Sequence, residues 1–148
     1  MGLASGDSEP IIDRDLLRRL AETRLREARA LAHEGHHQGA IYLAGYAVEC
    51  WLKAVICHTL DWEGLHETFR THDLKSLLLH SGLFRRIVSE PRVHSSFNKI
   101  VGMWPRDGGV ELRYRDPQSY SEEQANVFLH WVDGKTEGVV PWLSEQVS

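Results

Sequence analysis

An all-α fold is what this 148-residue sequence predicts, and three observations carry the prediction. The run from Gly39 to His58, GAIYLAGYAVECWLKAVICH, sets Leu43, Ala44, Ala47, Val48, Trp51, Leu52 and Val55 along one broad stripe. Their spacings of three and four are those of a helix. A second stripe of the same period runs through Leu16, Leu17, Leu20, Ala21, Leu25, Ala28, Leu31 and Ala32. Nowhere does apolar–polar alternation persist long enough for a sheet. The central run is flanked by small residues (Ala40, Ala44, Gly45, Ala47, Ala54) that let neighbouring helices come close. Its Glu49 and Lys53 stand four apart, in the favourable order for a helical ion pair. Such a helix belongs at the centre of a bundle.

Taken in order, residues 1–11 (MGLASGDSEPI) show no periodicity and read as a frayed lead, with a single domain over residues 12–148. Asp13 or Asp15 caps a first helix that runs to about His33, its five arginines between Arg14 and Arg26 facing outward. Those arginines (Arg14, Arg18, Arg19, Arg24, Arg26) alternate with Asp13, Asp15, Glu22 and Glu27, which describes a solvated face rather than a nucleic-acid stripe. EGHHQG, Glu34 to Gly39, breaks the helix and implies an antiparallel hairpin with the central one. Residues 59–72 are irregular, with a short helical turn through Trp62, Leu65 and Phe69. Asp73 caps a third helix carrying Leu74, Leu77, Leu78 and Leu79, which Ser81-Gly82 stops. Leu83 to Ser89 is short and apolar, and Pro91 ends it. Ser95 or Ser96 opens a helix with Phe97, Ile100, Val101 and Trp104 on one face. Pro105 to Tyr120 reads as a loop on its Pro, Gly and Asp content. Ser121 with Gln124 forms a capping box for one last helix through Leu143, weakened at Gly134, Gly138 and Pro141.

Composition bounds the function classes. The formal charge of −4 gives no overall attraction to nucleic acid or anionic lipid, so such binding needs a local basic patch. Cys50 and Cys57, seven apart on one helix, stand about 10 Å from each other, too far to bridge, and free thiols fit a reducing cytoplasm. Glu49 and Lys53 interrupt the best apolar run before it reaches the ~18 residues of a membrane span. The N-terminus lacks the basic-then-apolar pattern of a signal peptide. His33, His36 and His37 cluster at a helix end, where positive imidazoles also suit the dipole. With only Glu34 nearby, they set no full metal site, and the sequence expects neither metal nor cofactor.

Three pieces then stand in one order: LAGYAVECWLKAVI on the central helix, THDLKSLL at the third, and Trp104 followed by LRYR before the last. Together with the hairpin REARALAHEGHHQGAIYLAGYAVE they resemble the HEPN family, over roughly residues 14–146. The resemblance implies an up-down bundle of four to five main helices, often a symmetric homodimer, in prokaryotic defence, stress or toxin–antitoxin settings. It implies partners such as nucleotidyltransferase domains, and several members are metal-independent endoribonucleases. Nuclease members carry an arginine followed four to six residues later by a histidine near the start of the late helix. Here Arg113 and Arg115 stand at that place, but Tyr120, not a histidine, lies seven residues after Arg113. Arg86, Arg92, His94 and His130 miss the spacing. Arg26 with His33 and Arg29 with His36 approach it, but on the first helix and its loop.

Two sets of polar residues remain. In one, Asp73 caps the third helix and His72 packs against the central helix through a backbone carbonyl; the functional version sets His72 in a cleft with Arg113 on a phosphate. In the other, Glu49 holds the Arg113 guanidinium and pins the loop to the bundle. The functional version has Arg113, Tyr114 and Arg115 line a phosphate groove, with Trp104 or Tyr114 stacking a base and Tyr120 beside them. The expectation is therefore a cytoplasmic, homodimeric interaction or nucleotide/RNA-binding module working with a partner such as a nucleotidyltransferase. Ligand-binding candidates are Trp104, Arg113, Tyr114, Arg115 and Tyr120, and Glu49, Lys53 and Asp73 form a structural polar network. The alternative is a metal-independent endoribonuclease with Arg113 as electrophile and His72 as proton shuttle.

Overall fold

The computed structural model describes residues 11–104 and 110–147; all but the last residue of the expected lead (residues 1–11) and the first part of the expected loop (residues 105–109) lie outside the described residues. Among the described residues the fold is all helical, with no strand. Helix α1 (Arg14–His33) starts where Asp13 accepts a hydrogen bond from the Leu16 N–H, and it buries Leu17, Ala21, Leu25 and Ala28. The hairpin behind it is tighter than expected. Helix α2 (His37–Thr59) begins two residues before Gly39, because the turn needs only Glu34, Gly35 and His36. Gly35 has a φ of 87°, a left-handed conformation open to a residue without a Cβ.

Helix α2 is the axis of the molecule. It packs against α1, against α3 (Leu74–His80), against α6 (Val110–Arg113), and against α7 (Glu122–Asp133) and α8 (Val139–Glu145). Covered from so many sides, it is buried without interruption from Ala47 to Cys57, Glu49 and Lys53 included. That is the state expected of a helix apolar all round. Its apolar window has a mean hydropathy of 1.4, long and apolar enough to cross a membrane despite Glu49 and Lys53, which corrects the sequence expectation. Yet 83% of that window is buried within the bundle, which identifies it as the core helix. Ala40, Ala44, Ala47 and Ala54 are fully buried, and Gly45 is the point of closest approach: a Cβ there would run into the Trp104 ring.

Three boundaries differ from expectation. Pro91 does not merely end the short helix α4 (Phe84–Val88); it is the first residue of α5 (Pro91–Met103), where a missing N–H costs nothing, so the helix starts four residues before Ser95. The expected loop between Trp104 and Ser121 contains a helical turn, α6, and a 3-10 turn at Pro117–Ser119 capped by Asp116. The last helix is two: Gly134, in extended conformation, closes α7, and α8 starts after Gly138. The Ser121–Gln124 capping box is formed in both directions at the start of α7.

Candidate functional site

Four polar residues of α2 fall on one face. At 100° per residue, Gln38, Tyr42, Glu49 and Lys53 lie within a quarter turn of one another along the helix. Two loops return onto this stripe, one at each end.

At the C-terminal end, Glu49 is almost wholly buried, 1% exposed, and Lys53 is 7% exposed. Lys53 Nζ donates to Glu49 Oε2 at 2.8 Å, so the buried carboxylate has its counter-charge one turn away on the same helix. The segment before α3 brings His72 across, with Nδ1 3.0 Å from both carboxylate oxygens. Asp73 then caps α3, accepting from the Lys75 and Ser76 N–H groups. A carboxylate paired with an ammonium only accepts hydrogen bonds, so Nδ1 carries a proton and donates it to Glu49. The His72 side chain is 54% exposed, so this held ring stands at the surface. The carboxylate takes the place of the backbone carbonyl expected for His72, and Glu49 holds Lys53 and His72 where Arg113 was expected.

At the N-terminal end the sequence missed two residues. Gln38 Nε2 donates to the carbonyls of Leu112 and Arg115, at 2.7 and 2.8 Å. Leu112 is fully buried beneath that clamp, while Arg113 and Arg115 are exposed and Tyr114 is 84% exposed. One apolar plug and two hydrogen bonds thus fix the backbone so that three consecutive side chains face solvent. The Arg113 guanidinium lies over the Tyr42 ring, 5.9 Å from its centroid, a cation–π arrangement. Arg115 donates to Glu111 at 2.9 Å and to the Tyr120 hydroxyl at 3.4 Å, contacts that raise its pKa above the ordinary arginine range, Glu111 first. A projection of α2 on the helical period would have placed Gln38 and Tyr42 beside Glu49, which was the signal available.

Two expected ligand contacts have other places. Trp104 is 1% exposed, its ring seated on Gly45 and its Nε1 donating to the Tyr42 carbonyl at 3.1 Å, so it is a core plug and not a stacking platform. Tyr120 is buried except for an edge on a cleft of about 480 Å³ shared with His36, His37 and Gln38. His33 ends α1, His36 precedes α2 and His37 opens it; among the described residues no group of three or more histidines, cysteines or carboxylates is placed to hold a metal ion. Tyr42 and Glu49, the seats of Arg113 and His72, are seven residues apart, so the two side chains are anchored about 10 Å from each other along α2.

Burial also acts on two groups between these ends. It pushes the Cys50 thiol up to about 12, with the Glu49 charge adding to it, and the Tyr46 hydroxyl up to about 12, with Cys50 adding to it. Neither is a nucleophile near neutral pH.

No curated protein and no solved structure matches the chain with significance. A protein-family model does: that of the HEPN domain, over residues 14–134, from the first residue of α1 to the glycine that closes α7. The chain belongs to the HEPN-domain family.

Proposed function

We propose that this protein is a binding module for single-stranded RNA or nucleotides whose contact edge is Arg113, Tyr114 and Arg115. Membership of the HEPN family supports a nucleotide- or RNA-related role in general terms. The observation that carries the finer reading is the clamp of Gln38 on the Leu112 and Arg115 carbonyls, which fixes a backbone whose Arg113, Tyr114 and Arg115 side chains are exposed, Arg113 resting on Tyr42 and Arg115 on Glu111 and Tyr120. Guanidinium forks suit phosphate oxygens, and an exposed ring offers a face for a base. In this reading the module acts as a homodimer in the cytoplasm of a prokaryote, in a defence or toxin–antitoxin pair with a partner such as a nucleotidyltransferase. That setting is what the resemblance to the family implies. The test is an anisotropy titration of a fluorescent eight-nucleotide RNA in EDTA. Saturable binding that falls about tenfold in Arg113→Ala supports the reading, and no binding by the parent protein refutes it.

One observation favours a second reading, a metal-independent endoribonuclease: the surface imidazole of His72 held by a buried carboxylate, the arrangement that orients a proton-transfer group. Arg113 and His72 are seated on α2 residues two helical turns apart, and in this reading a dimer brings the edges of two protomers together around one phosphate. Cleavage of the same RNA in EDTA that vanishes in both His72→Ala and Arg113→Ala would establish it. Intact RNA after prolonged incubation at saturating protein would exclude it.

A further inference from the structure

Helices α3, α4 and α5 carry a charge opposite in sign to that of the rest of the chain. Between Leu74 and Met103, Lys75, Arg85, Arg86, Arg92 and Lys99 stand against one acid, Glu90, in a protein of net charge −4. The same helices expose large apolar side chains: Leu79 is 61% exposed, Phe84 46% and Val88 47%. Leu79 and Phe84 border a groove of about 250 Å³ between α3 and α5, floored by the buried Leu78 and Phe97. Lys75 and His94 stand on its edge, His94 against the Phe84 ring at 6.4 Å between centroids, and no carboxylate lines it. Phe84 and Val88, one turn apart on α4, continue the apolar surface beyond the groove.

We propose that this face docks an amphipathic helix of a partner protein, its apolar side in the groove and its flanks carrying aspartate or glutamate. Exposed apolar side chains gathered around a groove and rimmed by polar ones mark a recognition surface rather than a scattered surface leucine. The occupant follows from the charge and from the residue types. A second copy in a closed symmetric pair would set Lys75 at the groove edge against its own copy with no carboxylate in the lining to meet it, and a head-to-tail pairing would not close. Nucleic acid is favoured by the cations but not by Leu79 and Val88, since bases stack on rings and gain little from branched aliphatic tips. Helical anchors at one-turn spacing fit a groove walled by two helices, and an acidic flank meets Lys75 and His94 on its edge. This face is separate from the Arg113 edge, so the two proposals stand or fall apart.

The probe is a fluorescent synthetic peptide of about four helical turns with leucines at i, i+3/i+4 and i+7 and glutamates on the flanks. Its control carries lysine in place of every glutamate. The expected result is saturable anisotropy with the acidic peptide alone, weakened about tenfold or more in Phe84→Ser and in Lys75→Glu and reduced by added salt. The substituted side chains are exposed, and each variant is required to melt as the parent does by circular dichroism. Equal binding of both peptides, binding unaffected by either substitution, or no binding up to about 1 mM protein overturns the proposal. Two other outcomes overturn it in favour of a different occupant. Sedimentation velocity showing self-association abolished by Phe84→Ser assigns the face to a second copy. Loss of the eight-nucleotide RNA's binding in Phe84→Ser assigns it to nucleic acid.

Discussion

Removing the Glu49 carboxylate is expected to be among the most damaging single changes outside the apolar core. Glu49 is 1% exposed and Lys53 7%, so neither charge is rescued by water, and Lys53 Nζ donates to Glu49 at 2.8 Å. Glu49→Ala strands an ammonium in the interior, a change that costs about 3–5 kcal/mol where one partner of a buried pair is removed. Against a total stability of roughly 5–15 kcal/mol for a domain this size, the variant folds but is visibly weakened. His72 contributes little to that figure, because its side chain is 54% exposed and regains water when the carboxylate leaves. The double variant Glu49→Leu with Lys53→Met removes both charges at similar volume and is expected to cost about 1 kcal/mol or less, or to stabilise. Urea unfolding followed by circular dichroism reads both, as shifts in midpoint at unchanged slope. The reasoning is refuted if Glu49→Ala costs less than about 1 kcal/mol, or if the double variant costs as much as the single one.

Gly45→Ala sets a helix-propensity gain of about 1 kcal/mol against a Cβ driven into the buried Trp104 ring. Overpacking of about 1–3 kcal/mol and strain on the Trp104–Tyr42 hydrogen bond outweigh the gain, so thermal melting is expected to fall by a few degrees. A rise in melting temperature contradicts the seating of Trp104. Ser121→Ala opens the capping box of α7 and is expected to cost about 1 kcal/mol in urea unfolding. The pH response follows from Cys50 and Tyr46, whose pKa values are both raised to about 12 in the fold. The unfolded chain loses these protons first, near 9 for the thiol and 10 for the phenol, so stability is fully present below about 9. It falls by roughly 1.4 kcal/mol per pH unit for the buried thiol, and by less for the half-buried phenol, which water screens, as pH climbs towards 12. Urea midpoints measured from pH 8 upward are expected to decline, with a shallower slope in Cys50→Ala; a slope equal in both proteins removes the thiol from the argument.

What the sequence made legible was whatever local chemistry decides. Asp73 and Ser121 announce helix starts because their oxygens find N–H groups two and three residues ahead, and the Leu–Ala stripes of α1 and α2 follow from one period. Pro91 was harder, since a proline both ends the chain segment before it and suits the first turn of the segment after it. Gly134 and Gly138 signalled weakness in the last helix, but whether that means a kink or a break depends on how α8 packs against α2. The site was half legible. Glu49 and Lys53 are near in sequence, and their pairing is a helical spacing, whereas the tie from Glu49 to His72 spans 23 residues and depends on how the segment before α3 returns. Trp104 read from sequence both as a core residue on the face of Phe97, Ile100 and Val101 and as a base-stacking ring, and the distant glycine beneath it decides for the core.

The central claim is that Arg113 meets a phosphate while Tyr114 meets a base. The most direct test is the salt dependence of binding to the eight-nucleotide RNA in the parent protein, Arg113→Ala and Tyr114→Ala. Each phosphate contact on a single strand contributes about −0.7 to the slope of log K against log salt. Arg113→Ala is therefore expected to flatten the slope by roughly that amount, while Tyr114→Ala weakens binding and leaves the slope in place. An unchanged slope in Arg113→Ala, or equal slopes with equal affinities in all three proteins, would contradict the claim.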